Sequence, residues 1–241
     1  KEHEWGIFDY SQQEPRIVVH YASMKNFTGA DKFVDSYRED DSTDFHKMVS
    51  EIADIPRKKA KTINLGLFYG MGKGKLMSQL GINLEDATEM LANYNERVPF
   101  VKQLMNDTMN KAGKKGYLST IEGRRCRFEL YEPTNEWGQK ALPFKEAKDE
   151  YGEHMIKRAW TYKALNRLIQ GSAADQTKKA MLELSKEGYL AHIQVHDELD
   201  FSVATEKDKS KIKEIMEHAV KLEVPSKVDV ECGDSWGDAG D

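Results

Sequence analysis

Two acidic positions far apart in the sequence could act together on a metal ion. Asp9 ends a short aromatic and apolar run, EWGIFDYS, of the kind that forms a buried strand. Asp197 and Glu198 lie between two apolar runs, where they would occupy the tip of a hairpin. Carboxylate oxygens are the ligands that Mg²⁺ prefers. An Asp-Glu pair alone is most often an ordinary polar hairpin tip, so the pair predicts a metal site only in combination with other signals.

A basic helix after Pro56 is the second candidate. Proline suits the first turn of a helix, and the spacing of the apolar residues predicts that this one runs from about Arg57 to Tyr69. Residues 57, 61, 65 and 69 are successive i+4 steps, each rising about 6 Å along the axis. Arg57, Lys61, Leu65 and Tyr69 therefore share one slowly drifting face, which suits a nucleotide laid along the helix.

Hydrophobic periodicity places these candidates on a mixture of helices and strands. Residues 131–152 are polar, contain two prolines and lack periodicity, so we interpret them as a loop or insertion without an assignable role. The other predicted elements are helices over 74–80, 84–112, 154–186 and 206–220, a hairpin over 116–130, strands over 190–195 and 199–203, and a β-rich tail over 227–232.

Composition excludes several classes of protein. The 241 residues suffice for one large domain or two small ones. The sequence has no run of about 18 apolar residues, so we expect a cytoplasmic protein without a membrane partner. The two cysteines lack the spacing of a zinc site or a disulfide framework. The net charge of −5 argues against nucleic acid, but basic residues concentrate in three runs, over 57–61, 111–115 and 124–127.

Several segments together resemble the family A DNA polymerases. DYSQQEPR, from Asp9, resembles the first palm motif of that family, DYSQ-x-E-x-R. RKKAKTINLGLFYG matches its fingers-helix pattern R-x3-K-x7-YG, and QVHDELDFSV matches its second palm motif, VHDE. ALNRLIQGSAAD is similar to the helix that contacts template and primer, and VECGDSW to the closing segment. The order and approximate intervals of these motifs agree with the family over nearly the whole chain except 131–152. The short interval between His46 and Arg57 is more similar to that of bacteriophage replicative polymerases than to that of bacterial repair enzymes.

The resemblance implies an α+β right-hand fold, with an antiparallel palm sheet, flanking helices and a mostly helical fingers subdomain. It implies a palm formed by residues 1–36 and 154–241, with fingers over 37–153. The implied function is DNA-templated DNA synthesis, which adds dNTPs to the 3′ end of a primer by two-metal nucleotidyl transfer. The first motif lies close to Lys1, so we expect the thumb and any exonuclease in an N-terminal segment or a separate subunit. Without a thumb, we expect this chain alone to lack much of the grip on the duplex.

For the palm, the resemblance implies a metal centre. Asp9, Asp197 and the backbone carbonyl of Tyr10 would hold two Mg²⁺ ions, with Mn²⁺ as a substitute, and Glu198 would be an auxiliary acid near the second ion. A strand end beside a hairpin turn in one antiparallel sheet would bring the two aspartates together. The resemblance assigns contacts to primer-template DNA to Asn166, Gln170 and His196.

For the fingers, the resemblance implies a nucleotide site. Arg57 and Lys61 would hold the triphosphate, and Lys61 could also neutralise the departing pyrophosphate. Leu65 and Tyr69 would face the sugar and base, and His46 would help to grip the phosphates.

Sugar selection is implied by Glu14, which occupies the position of the family's steric gate against a ribose 2′-hydroxyl. Leu65 stands where the family commonly has Phe or Tyr, which predicts poor use of dideoxynucleotides. Other departures are Gln13 and Pro15, where apolar residues are usual, and Tyr162, where Arg is common.

Two alternatives remain open at the level of sequence. A single-subunit RNA polymerase would share the palm and the Arg/Lys/Tyr-Gly helix, and Glu14 argues against it. A catalytically silent module that only binds nucleic acid would not need both Asp9 and Asp197.

Overall fold

A computed structural model describes residues 3–136 and 138–239. The strands are β1 (Glu4–Tyr10), β2 (Tyr117–Ser119), β3 (Arg125–Arg127), β4 (Leu130–Pro133), β5 (Leu142–Pro143), β6 (Ile156–Arg158), β7 (Ile193–Val195), β8 (Glu198–Val203) and β9 (Val228–Gly233). The helices are α1 (Gln13–Met24), α2 (Ala30–Glu39), α3 (Phe45–Ala53), α4 (Arg57–Phe68), α5 (Lys73–Leu80), α6 (Leu84–Arg97), α7 (Pro99–Lys115), α8 (Phe144–Tyr151), α9 (Ala164–Lys186) and α10 (Glu206–His218). Helices with antiparallel sheets confirm the predicted α+β class.

The chain divides into two compact units. The first combines the residues up to 48 with those from 172 onward, and the second comprises residues 49–171. None of the described helices has both the length and the apolar character needed to cross a bilayer. The division into palm and fingers given above remains a prediction.

The first unit is organised around a four-stranded antiparallel sheet with the order β7-β8-β1-β9. Side chains alternate between the two faces of each strand. On one face Phe8, Leu199, Phe201 and Val228 join a buried core with residues of α9 and α10. The opposite face of the same strands carries acidic residues, so the sheet separates an apolar layer from a charged one.

The second unit contains the basic helix α4, the helices α5 to α7, and two small sheets with the orders β2-β3 and β5-β4-β6. The hairpin predicted over 116–130 is confirmed as β2 and β3. The single helix predicted over 84–112 was wrong, because the chain breaks at Val98 and Pro99 starts a new helix. Proline lacks the N–H that a continuous helix needs and suits a first turn.

Residues 131–152 are not a structureless loop. They contribute to β4, β5 and α8, and β4 pairs with both β5 and β6. These strands span two to four residues, too few for an alternating pattern to be visible in the sequence. The helix predicted from about His154 starts only at Ala164, because residues 156–158 form a strand and Trp160 adopts a left-handed backbone conformation, φ 58°.

Candidate active site

Strand register brings the predicted carboxylates of the first unit together. Asp9 of β1 lies opposite Glu198 of β8, and residues that face each other across an antiparallel pair project from the same side of the sheet. The backbone N–H of the next residue, Tyr10, donates to the carbonyl oxygen of Asp197 at 3.4 Å. The end of β1 is therefore bonded directly to the hairpin that carries the second aspartate.

A tight turn presents Asp197. Val195 pairs with Glu198, which leaves a two-residue loop of His196 and Asp197. His196 has a left-handed φ of 54°, a conformation that such loops favour at their first position but that glycine adopts more easily. The side chain of His196 is exposed, whereas Asp197 is half-buried beside the end of β1.

The clustered carboxyl groups repel one another. Burial, followed by the negative charges of Asp197, Asp229 and Glu231, raises the pKa of Asp9 to about 6. Burial is also the main cause of a raised pKa at Asp197. For Glu198 the pKa rises to about 7, first through burial and then through the neighbouring Asp200 and the two aspartates. This face of the sheet disfavours several negative charges at once.

Asp200 is a member of this acidic face that the motifs did not single out. It is completely buried, and among the described residues neither of its oxygens makes a hydrogen bond of ordinary geometry. Burial raises its pKa, and the nearby Glu198 and Trp5 side chains counteract part of that rise. The alternation of Glu198, Asp200 and Ser202 with apolar residues along β8 was the signal that could have identified it.

The acidic face suits hard divalent cations. Within residues 3–136 and 138–239, no three His, Cys, Asp or Glu side chains form a preformed metal cage. Mg²⁺ is usually bound by one or two carboxylates together with waters and substrate phosphates, not by a cage made only of protein. Asp9 and Asp197 supply two such carboxylates, and a cation between them would offset the repulsion that raises the pKa of Asp9.

In the second unit, α4 has one buried and one exposed face. Ala60, Ile63, Asn64 and Phe68 are buried. The side chain of Asn64 is fixed by the buried hydroxyl of Tyr94, which donates to Asn64 Oδ1 at 2.6 Å. The predicted nucleotide-binding residues lie on the other face, where Arg57, Lys61 and Tyr69 are exposed and Leu65 is half-buried.

The remaining predicted site residues divide between the two units. In the first unit, Glu14 is half-buried in the first turn of α1, and His46 is buried in the first turn of α3, next to Phe45. In the second unit, Asn166 is half-buried and Gln170 is exposed on the first turns of α9.

Arg16, the last residue of the motif DYSQQEPR, is buried and connects three chain segments of the first unit. Its guanidinium donates to the carbonyl oxygens of Ser11, Asp41 and Pro225, and it stacks on the ring of Tyr37 at 4.5 Å. The motif that begins at Asp9 therefore includes a structural arginine as well as the candidate metal ligand.

Comparison with known proteins agrees with the motifs. Residues 1–238 match the family described as DNA polymerase family A. The DNA-directed DNA polymerase of Pseudomonas phage M6 is 38% identical over 97% of this chain and 38% of its own length. DNA polymerase I of Bacillus subtilis (strain 168) is 34% identical over 99% of this chain and 26% of its own length.

A solved structure is similar over the whole chain. The POL domain of Pol1 from M. smegmatis, in complex with DNA primer-template and dNTP, has a TM-score of 0.78 and 29% identity, and the match covers 100% of this chain and 41% of that one. The chain thus spans about two fifths or less of the length of these relatives. Both the sequence matches and the structural match support one assignment: the chain belongs to DNA polymerase family A.

Proposed function

We propose that this protein catalyses DNA-templated DNA synthesis, in which the 3′ oxygen of a primer attacks the α-phosphorus of a dNTP. Two observations carry the proposal. The register of β1 and β8 sets Asp9 opposite Glu198, and the Tyr10 amide donates a hydrogen bond to the Asp197 carbonyl. Asp9 and Asp197, which are 188 positions apart in the sequence, therefore lie at the same end of one sheet.

The palm carboxylates would hold the metal ions of the reaction. Asp9, Asp197 and the backbone carbonyl of Tyr10 are the proposed ligands for two Mg²⁺ ions. Bound there, the ions would stabilise negative charge on the attacking and leaving oxygens. Glu198, with a pKa raised to about 7, is suited to accept or hold a proton near the same centre at neutral pH.

The exposed face of α4 would bind the incoming dNTP. Arg57 and Lys61 lie one turn apart and would bind the triphosphate, with Lys61 neutralising the charge on the departing pyrophosphate. Leu65 and Tyr69 would contact the sugar and the base. His46 would add a phosphate contact, and Asn166, Gln170 and His196 would contact the primer-template DNA.

The proposal has a direct test in the full gene product. Asp197→Ala is expected to lower primer extension in Mg²⁺ by at least about a hundredfold, because one of two metal-binding carboxylates is lost. Asp35→Ala, which removes an exposed carboxylate from α2 of the same unit, is the matched control and should leave extension unchanged. Extension by Asp197→Ala at the rate of the control would refute the assignment.

Glu14 should select deoxyribonucleotides. If its side chain fills the space of a 2′-hydroxyl, Glu14→Ala is expected to increase ribonucleotide incorporation about tenfold or more relative to dNTPs. Competition assays with paired rNTP and dNTP substrates measure this ratio. An unchanged ratio would remove the steric-gate role and reopen the comparison with RNA polymerases.

The whole reaction needs partners beyond the described residues. Because the relatives are considerably longer than this chain, we propose that a thumb, supplied by further sequence or by a second polypeptide, grips the duplex. We propose that the reaction takes place in the cytoplasm of a bacterial or phage-infected cell, and the bacterial and phage origin of the relatives supports this.

A further inference from the structure

An open groove runs along helix α6 of the second unit. It measures about 580 Å³ and is lined by five residues of that one helix, Leu84, Glu85, Thr88, Glu89 and Ala92. All five are exposed, and Leu84 keeps 58% of its surface in contact with solvent. The groove is therefore a face of α6 that the described residues leave uncovered.

Helix α6 is held in place, so the groove is preformed. The side chain of Asn83 caps its first turn by accepting a hydrogen bond from the Asp86 amide at 2.9 Å. Ala87 and Tyr94 are buried on the face opposite the groove, and the Tyr94 hydroxyl donates to Asn64 of α4. A partner that binds the groove would not have to order this helix first.

The spacing of the lining residues fits a second helix. Leu84, Thr88 and Ala92 form one i+4 row, and Glu85 with Glu89 forms the next, so the groove lies between two rows. Packed helices commonly insert a row of one helix into such a groove of the other. From the first to the last lining residue, α6 rises about 12 Å, which is roughly two turns. The small side chains of Thr88 and Ala92 allow a partner helix to approach closely.

Charge determines which helix fits. Among the described residues, neither Glu85 nor Glu89 forms an ion pair. Glu85 lies in the first turn, where it complements the helix dipole, but Glu89 lies beyond that turn and the dipole does not account for it. Lysine or arginine side chains on both sides of an apolar row would complement the two carboxylates.

The same charges disfavour other occupants. The phosphates of nucleic acid and the head groups of anionic lipid would be repelled by Glu85 and Glu89. A second copy of the chain, bound symmetrically through this groove, would bring identical glutamates together.

We propose that the groove of α6 binds a basic amphipathic helix of a partner protein. Its row of small and apolar side chains lies beside Leu84, Thr88 and Ala92, and its cations pair with Glu85 and Glu89. The groove is on the face of α6 that points away from the contact with α4, so a bound partner leaves the exposed residues of α4 accessible. This inference does not depend on the proposed function.

The test uses the full gene product and a synthetic peptide as the probe. The peptide has about 20 residues, enough to form a helix, with alanine and leucine along one i+4 row and lysine on both sides of that row. A peptide of the same composition in scrambled order is the control. Fluorescence anisotropy of the labelled peptides should show at least about tenfold tighter binding of the ordered one.

Two variants locate the binding in the groove. Thr88→Arg fills the groove and repels a cationic helix, so it should weaken binding of the ordered peptide at least about tenfold. Glu89→Gln removes one charge and should weaken binding about threefold. Glu150→Gln, which removes an exposed glutamate from α8 of the same unit, is the matched control and should have no effect. Equal affinity for both peptides, or unchanged binding by Thr88→Arg, would overturn the proposal.

Thr88→Arg also distinguishes the other occupants. Thr88 is exposed and arginine is a good helix former, so the variant should keep the melting temperature of the wild type. A wild-type dimer that this variant dissociates, measured by sedimentation, would assign the groove to a second copy. An oligonucleotide that binds the variant more weakly than the wild type would assign it to nucleic acid. Either result would overturn the proposal.

Discussion

Among single residues, the carboxyl groups on the acidic face of the sheet define the electrostatics of the first unit. In the pair of strands β1 and β8, Leu199 and Phe201 point into the apolar core. Glu198 and Asp200 lie next to Asp9 on the opposite side. Repulsion of this kind destabilises the folded chain, and a divalent cation bound between the carboxylates would offset it.

This repulsion predicts a specific pH dependence. Folding raises the pKa of Asp9 from 3.8 to about 6 and that of Glu198 from 4.5 to about 7, so between pH 4 and pH 7 the folded chain holds more protons than the unfolded chain. The contribution of these groups to stability therefore falls as pH rises through that window. Melting temperatures at pH 5 and pH 8, without divalent ions, measure it.

Asp200→Asn should reduce this dependence and raise the melting temperature at pH 8, because it removes a buried negative charge beside Glu198. Asp35→Asn, on an exposed surface, should change neither quantity. A dependence equally steep in wild type and Asp200→Asn would contradict the interpretation.

His196 makes a separate prediction at the hairpin tip. The φ of His196 is 54°, so His196→Gly should stabilise the chain by about 0.5–1 kcal/mol. The relief of backbone strain should exceed the stability lost because glycine gives the unfolded chain more conformational entropy. Asn26→Gly is the matched control, because asparagine already tolerates its φ of 51° and the gain should be smaller. Urea denaturation measures both. A loss of stability in His196→Gly would show that its side chain makes a stabilising contact.

At the level of secondary-structure elements, the end of α4 depends on a residue without a side chain. Gly70 combines a φ of 67° with the close approach of the Tyr162 carbonyl, so Gly70→Ala should cost about 2 kcal/mol or more. At Gly74, inside α5, an added Cβ would meet no atom within 4 Å, and Gly74→Ala should instead gain up to about 1 kcal/mol. Equal effects of the two substitutions on the free energy of unfolding would contradict the role given to the Tyr162 contact.

Elements also differ in how far their sequence predicts them. The strand before Asp9, the basic helix after Pro56 and the hairpin at Asp197 were all predicted, because each has a clear period and a clear boundary residue. The small sheet β5-β4-β6 was not, since pairing between strands of two to four residues is decided by tertiary contacts and not by local pattern.

For the whole molecule, the net charge conceals how the charges are arranged. The net charge of −5 argues against nucleic acid, but part of that charge is concentrated on one face of a single sheet, where Asp229 and Glu231 join the carboxylates of β1 and β8. The proximity of Asp9 and Asp197 was available from motifs alone. The burial of Asp200 was not, because it depends on which neighbours the folded sheet places around that carboxyl group.

The hydrogen bond from the Tyr10 amide to the Asp197 carbonyl constrains how the sequence around the two aspartates can evolve. This bond ties the two aspartates through the main chain, so flanking side chains can be replaced by others that keep the core packed without moving either one. A one-residue insertion or deletion within β1 or β8 is different, because it would turn a carboxylate to the opposite side of the sheet. Homologues should therefore vary in composition along these strands while keeping their lengths constant.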